Sequence, residues 1–156
     1  MGADMNGFQP ADEDFEARVR ASYARMPVMA LIGADLTVVR PGHVEIELPY
    51  RRDLCQQHGF FHAGMVSTIA DTAGGYAAYS LFAAESAVLA VEFKINLMSP
   101  AAGDRLRAVG RVLKPGRTLT VCEIDVFASR DGAEKLCARM QQTCIQLAGR
   151  DDLPAG

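Results

Sequence analysis

Residues 56–75, QQHGFFHAGMVSTIADTAGG, decide how this chain folds. They open a longer run, Phe60 to Ala84, of small and apolar residues in which Asp71 is the only ionised side chain. Ala63, Val66, Ala70, Ala73 and Ala77 recur at three- and four-residue spacing, and the run is apolar on nearly every face, so the pattern predicts a buried helix from about His62 to Ala84. A carboxylate inside such a helix is costly unless it is paired, hydrogen-bonded or put to use. Asp71 is therefore the first candidate functional residue.

His62 and Gly64 stand where that helix begins. Asp71 follows His62 by nine residues, which on an ideal helix is about 13 Å further along and roughly half a revolution away. If both groups are functional, one copy cannot aim both at one small substrate. Two antiparallel helices from a twofold dimer can, with the amide end of one facing the carboxylate of the other, and an isologous interface then makes two equal sites. The expectation is an obligatory homodimer.

Working outward, residues 1–10 read as a disordered N-terminus, and 11–26 (ADEDFEARVRASYARM) carries acids early and arginines late, as a helix dipole prefers. Leu36 to Val39 and Val44 to Leu48 flank Arg40-Pro41-Gly42 as a hairpin. In its second arm Val44, Ile46 and Leu48 alternate with Glu45 and Glu47, the period of a half-buried strand. Beyond the helix the pattern is all strand. Val91, Phe93, Ile95 and Leu97 alternate with polar residues up to Ser99-Pro100, and Leu106 to Leu113, Leu119 to Ala128 and Leu136 to Leu147 follow, joined by turns at Lys114-Pro115-Gly116 and Arg130-Asp131-Gly132. These read as an antiparallel meander of four arms. The fold expected is α+β, one antiparallel sheet curled around a long central helix, in a single domain over 11–148 with a disordered tail at 149–156.

Composition narrows the function classes. With 49% hydrophobic and 22% charged residues over 156 positions, the chain has the make-up of a soluble globular domain with a real core. A net charge of −3 with scattered Lys and Arg argues against nucleic acid as a partner. The acidic N-terminus lacks a secretory or lipidation pattern. Ser67, Thr68, Asp71 and Thr72 interrupt the apolar run too often for a membrane span. A cytoplasmic location is expected. Cys55, Cys122, Cys137 and Cys144 show no paired spacing and read as reduced, structural residues. No His or Cys pair stands at ligand spacing near a carboxylate cluster, so no metal is expected.

The string Gln56-x5-His62-Ala63-Gly64-x6-Asp71-Thr72-Ala73, followed by VEFKINLMSPAAGD (91–104) and KPGRTLTV (114–121), resembles the hotdog-fold acyl-CoA thioesterases of the phenylacetate-degradation (PaaI-like) type, relatives of 4-hydroxybenzoyl-CoA thioesterase. The likeness spans about residues 30–148. It implies the hotdog fold, a sheet wrapped around a long helix, with paired subunits sharing two active sites, and hydrolysis of an acyl-CoA thioester to free acid and coenzyme A. Relatives often pair such dimers into tetramers. By position, the resemblance makes Asp71 the catalytic carboxylate, either a general base toward water or a nucleophile giving a mixed anhydride. It makes Gln56 a group that binds the thioester carbonyl or positions water, and His62 a neutral residue orienting the loop. The amides of Ala63 and Gly64 at the helix N-terminus would stabilise the oxyanion. Gly116 and Arg117 resemble the turn that meets coenzyme A, with Thr72 a further candidate beside the substrate. No cofactor is implied, coenzyme A being part of the substrate.

Two positions depart from the family pattern. Ala63 replaces the usual first Gly, adding a methyl near the carbonyl site, and Ala90 stands where some relatives place a water-orienting Ser or Thr. These departures keep open an alternative, a non-catalytic acyl-CoA-binding protein or sensor. A hotdog dehydratase ranks third, since neither of its His-containing patterns is present. Taken singly the residues also have plainer readings: a helical Asp held by nearby Thr or backbone donors, a Gln capping the helix, an Arg solvated in a turn, and Gly74 and Gly75 allowing close helix–sheet packing.

Overall fold

The computed structural model describes residues 7–152, and in it the quoted run forms a 17-residue helix, Ala63–Tyr79, against which the strands pack. This is α3, preceded by α1 (Phe15–Ala24) and α2 (Pro27–Ile32). Val66, Ile69, Ala70, Ala73 and Ala77 lie fully buried, because small side chains let the helix axis sit close to the sheet. The helix ends five residues sooner than its apolar pattern predicts. Ser80 turns back: its Oγ donates to the Ala77 carbonyl at 2.7 Å and accepts from the Gly42 N–H at 2.8 Å, which pins the tip of the hairpin before it.

Before α3, the helix expected over 11–26 forms as α1, and a second short helix follows it. Pro27 occupies the first position of α2, where its missing N–H costs nothing, and Gly33 closes α2 in the left-handed region at φ 74°. Strands β1 (Asp35–Arg40) and β2 (His43–Pro49) form the expected hairpin. After α3 come β3 (Ser86–Leu97), β4 (Arg105–Lys114), β5 (Leu119–Arg130) and β6 (Ala133–Ala148).

All six strands join one antiparallel sheet in the order β1-β2-β4-β5-β6-β3, curled around α3. The four-arm meander is corrected here: β4, β5 and β6 follow one another, but β3 pairs with β6 and not with β4. The reason is that β2 takes the free edge of β4, His43 facing Arg111 through Pro49 facing Arg105, so β3 finds a vacant neighbour only at the far side. Strand β3 thereby becomes a twelve-residue edge.

Alternation sorts the strands as read from sequence, with Val44, Ile46 and Leu48 turned to the core. Cys122, Cys137 and Cys144 are buried in β5 and β6, and all four cysteines are free. On the outer face, Arg107 pairs with Glu45 and Glu134, and Asp125 sits between Arg111 and Arg139. Hydrogen bonds from His43 and Arg107 hold the Glu45 carboxyl down at about 2. At the termini, Phe8 packs on the core. Of the tail expected to be disordered, Gly149–Asp152 are described, and Asp152 accepts from the Ser22 hydroxyl and from Arg25. Residues 1–6 and 153–156 lie outside the described residues.

Helix α3 meets β4 backbone against backbone. A Cβ on Gly110 would stand 2.5 Å from the carbonyl carbon and oxygen of Ala73, backbone atoms that cannot step aside. Gly110→Ala is therefore expected to destabilise the fold by about 1–3 kcal/mol, read as a fall in thermal midpoint of roughly 2–4 °C per kcal/mol.

Candidate active site

Thr68, Asp71, Thr72 and Gly75 share one stripe of α3 by their three- and four-residue spacing, and together they line a cavity of about 240 Å³. Met26 and Val28 wall it from the N-terminal helices, Val88 and Ala90 from β3, and Gln142 from β6. A hydroxyl pair closes its polar end: Ser22 Oγ lies 2.9 Å from Tyr76 Oη, and Asp152 stands beside Ser22. Burial pushes the Tyr76 phenol up to about 12, its bond to Ser22 acting the other way, so this end stays protonated.

Asp71 is half-buried in this cavity, and loss of hydration pushes its carboxyl above the usual range. One group acts the other way. Gln142 Nε2 donates to Asp71 Oδ1 at 2.5 Å and to the Asp71 carbonyl at 3.2 Å, favouring the ionised form. Oδ2 takes no hydrogen bond from any described residue. A carboxylate with one oxygen held, the other free in an apolar cavity, and raised basicity is suited to take a proton or to attack a carbonyl.

The helix tip lines a different cavity. Gln56, Phe60, Phe61, Ala63 and Val66 border a space of about 450 Å³ with Leu97 and Met98 at the end of β3. His62 is the N-cap of α3, its Nδ1 accepting the Gly64 N–H at 2.8 Å, which places the ring proton on Nε2. Both amides of the tip were expected to face substrate; the Gly64 N–H is spent on this cap, whereas the Ala63 N–H meets no acceptor among the described residues. Gln56 shapes the loop itself: its Oε1 accepts the His58 N–H, its own N–H donates to the Phe60 carbonyl at 2.9 Å, and its Nε2 meets no acceptor among the described residues.

Within one chain, then, Asp71 and Thr72 line one cavity, and Gln56 and Ala63 another. Thr72 donates to the Thr68 carbonyl at 2.9 Å and Thr68 to the Gly64 carbonyl at 2.7 Å, so each offers only an acceptor lone pair to a ligand. Gly116 and Arg117 lie on the exposed β4–β5 turn and line neither cavity. Gln142 escaped notice in the sequence, although a signal existed: Met140, Gln142 and Cys144 alternate on the inward side of β6, and an uncharged polar side chain among core residues needs a partner. Ser22 and Asp152 had no such signal, since their meeting joins the two ends of the chain.

Comparison with known proteins agrees with this architecture. The family model described as Thioesterase superfamily matches residues 58–135. A solved thioesterase family protein from Silicibacter pomeroyi is 52% identical, with a TM-score of 0.85 over 86% of this chain and 99% of that one. A conserved protein from Pseudomonas aeruginosa is 32% identical, with a TM-score of 0.71 over 78% and 94%. The PaaI protein from the phenylacetic acid degradation operon of E. coli, at 22% identity, shares the fold with a TM-score of 0.80 over 90% and 98%. The sheet curled around α3 and the matched family together assign the chain to the Thioesterase superfamily, as a thioester hydrolase with the hotdog fold.

Proposed function

We propose that this thioesterase acts on acyl-CoA, with Asp71 of one subunit completing an active site together with Gln56 and the Ala63 amide of a second copy. The observation that carries the reading is the course of β3. Its early residues Val88 and Ala90 line the Asp71 cavity, and its last residue, Leu97, lines the helix-tip cavity. Among the described residues its outer edge has no strand partner, with Leu89, Val91 and Leu97 each 56% exposed and Phe93 46% exposed. A long apolar edge of this kind invites pairing. Two copies joined antiparallel along β3 bring the start of one strand against the end of the other, and so the carboxylate cavity of one against the helix tip of its partner.

In this reading the thioester carbonyl oxygen takes the Ala63 N–H, helped by the positive end of the α3 dipole and by Gln56 Nε2. Asp71 Oδ2 either deprotonates the attacking water or attacks the carbonyl carbon itself, and the coenzyme A thiolate leaves; in the second case water then hydrolyses the mixed anhydride, releasing the free acid and restoring the carboxylate. Bound water loses the help of a hydroxyl on β3, because position 90 is Ala, and the Thr68 and Thr72 lone pairs are the nearest replacement. Arg117, exposed and without a carboxylate partner among the described residues, is the proposed contact for a coenzyme A phosphate. The chemistry calls on no dissociable cofactor, and two dimers associate further as a tetramer. The free thiols accord with a cytoplasmic setting. Among the described residues no helix is long and apolar enough to cross a membrane.

Complementation tests the shared site. Asp71→Asn and Gln56→Ala are each expected to lose at least about tenfold in acyl-CoA turnover. Mixed dimers of the two variants regain one intact site, so random mixing returns about a quarter of wild-type turnover. No recovery on mixing would place both groups on one chain. On the edge strand, Val91→Lys with Phe93→Lys is expected to yield a folded monomer by sedimentation velocity, with turnover lost. An active monomer would overturn the reading.

Asp71→Asn has a further consequence for stability. The folded-state carboxyl lies above its usual value, so its protonated form favours folding at low pH, and that contribution is lost as pH rises through the folded value. At neutral pH the ionised group therefore costs stability. The Asn variant is expected to melt higher than wild type at neutral pH, the gap closing in acid, as thermal scans across pH will show.

A further inference from the structure

We infer that Gln142, seated against Gly74, is the positioning residue for Asp71: it holds Oδ1 and leaves Oδ2 as the reacting oxygen. The inference rests on the proposed role of Asp71 and assigns to its partner a task that the family motif leaves unspecified. Gln142 is 1% exposed, and its Nε2 grips both the side chain and the main-chain carbonyl of Asp71. Two donor bonds to one residue fix the carboxylate in rotation as well as in place.

Packing alone does not account for this amide. Its Oε1 is buried with no hydrogen-bond partner among the described residues, an omission that costs roughly 1–3 kcal/mol. An apolar side chain of similar volume would avoid that penalty. The helix also accommodates the amide at a specific point, since any Cβ on Gly74 would overlap Gln142 Oε1 and stand 2.7 Å from Ile124 Cδ1. Gly75 next to it has open space where its Cβ would be, so close packing explains only the first of the two glycines. A buried polar group with an unmet acceptor, admitted by a glycine in mid-helix, is retained for what its other end does.

Around Asp71 the titratable groups are few. Tyr76 from α3 and Asp152 from the tail share its cavity, with Asp152 paired to Arg25. The charged groups on the packed strands, Glu45, Arg107, Arg111 and Asp125 among them, are engaged with one another on the outer face and do not line the cavity. Burial and the Gln142 bond are accordingly the two influences on the Asp71 carboxyl, and removing the amide leaves burial unopposed.

The test compares wild type, Gln142→Leu, Gln142→Met and Asp71→Asn as full-length proteins, on phenylacetyl-CoA and hexanoyl-CoA over a range of pH. Both Gln142 variants are expected to fold with an unchanged or higher thermal midpoint, to lose roughly tenfold or more in kcat with little change in KM, and to move the acid limb of kcat/KM to higher pH. Gly74→Ala should reproduce the loss and the direction of the limb in the wild-type background, and add little to either in a Gln142→Ala background, where the overlap with the amide is gone and only the contact with Ile124 remains. A Gln142 variant with wild-type kcat and an unmoved limb, while Asp71→Asn is inactive, overturns this inference and leaves the proposed function standing. A lowered midpoint with kcat and limb unchanged makes Gln142 structural and likewise overturns it. An active Asp71→Asn removes the proposed function, and this inference with it.

Discussion

The close approach of α3 to the sheet is the constraint on which the rest of this molecule depends. Ala73 lies against Gly110 of β4, and Gly74 against Gln142 and Ile124, at distances that admit no further side-chain atom. This approach lets a sheet of six strands wrap one helix and cover its apolar side with a single layer. It also decides where the helix is not covered. Thr68, Asp71, Thr72 and Gly75 face outward from that contact, and the cavity they line is bounded by the elements that reach over them from both ends of the chain. A larger residue at 74 or 110 would lift the helix, separating Gln142 from the carboxylate it holds.

Because one rigid helix carries both the carboxylate and the amide tip, their separation is set by helical rise and cannot be closed by side-chain motion. The two cavities of the chain express that separation, and β3 runs between them as an edge strand that exposes Leu89, Val91, Phe93 and Leu97. Hydrolysis requires an electrophile held between an oxyanion donor and a base. In the proposed function the chemistry finds its second half in another copy, and the exposed edge that would be an aggregation hazard in a monomer supplies the means.

Electrostatics divides the molecule along the sheet. On the outer face the acids and arginines satisfy one another, and Glu45 is kept ionised far below neutrality by His43 and Arg107. On the side of the Asp71 cavity almost no charge opposes burial, so its carboxyl is pushed up and the Tyr76 phenol with it. Basicity in the candidate site comes from dehydration, tempered by one amide, and hence responds to packing more than to salt.

Much of this could be read from residues alone. The three- and four-residue recurrence of Ala63, Val66, Ala70, Ala73 and Ala77 announced α3, the alternation in 44–48 and 91–97 announced strands, and an acid isolated in an apolar run marked Asp71, because each of these signals is local in sequence. Spacing also gave the expectation that His62 and Asp71, if both are functional, serve one substrate only from two copies. The sequence by itself determined periodicity, turns and the unusual residue, since these depend on neighbours along the chain. The tertiary structure decided that β3 pairs with β6, that His62 caps α3 by accepting the Gly64 N–H, and that Gln142 and Asp152 reach α3 and α1. Those contacts join residues dozens of positions apart, and strand order, helix depth and edge choice are settled only when the whole sheet competes for the same surfaces.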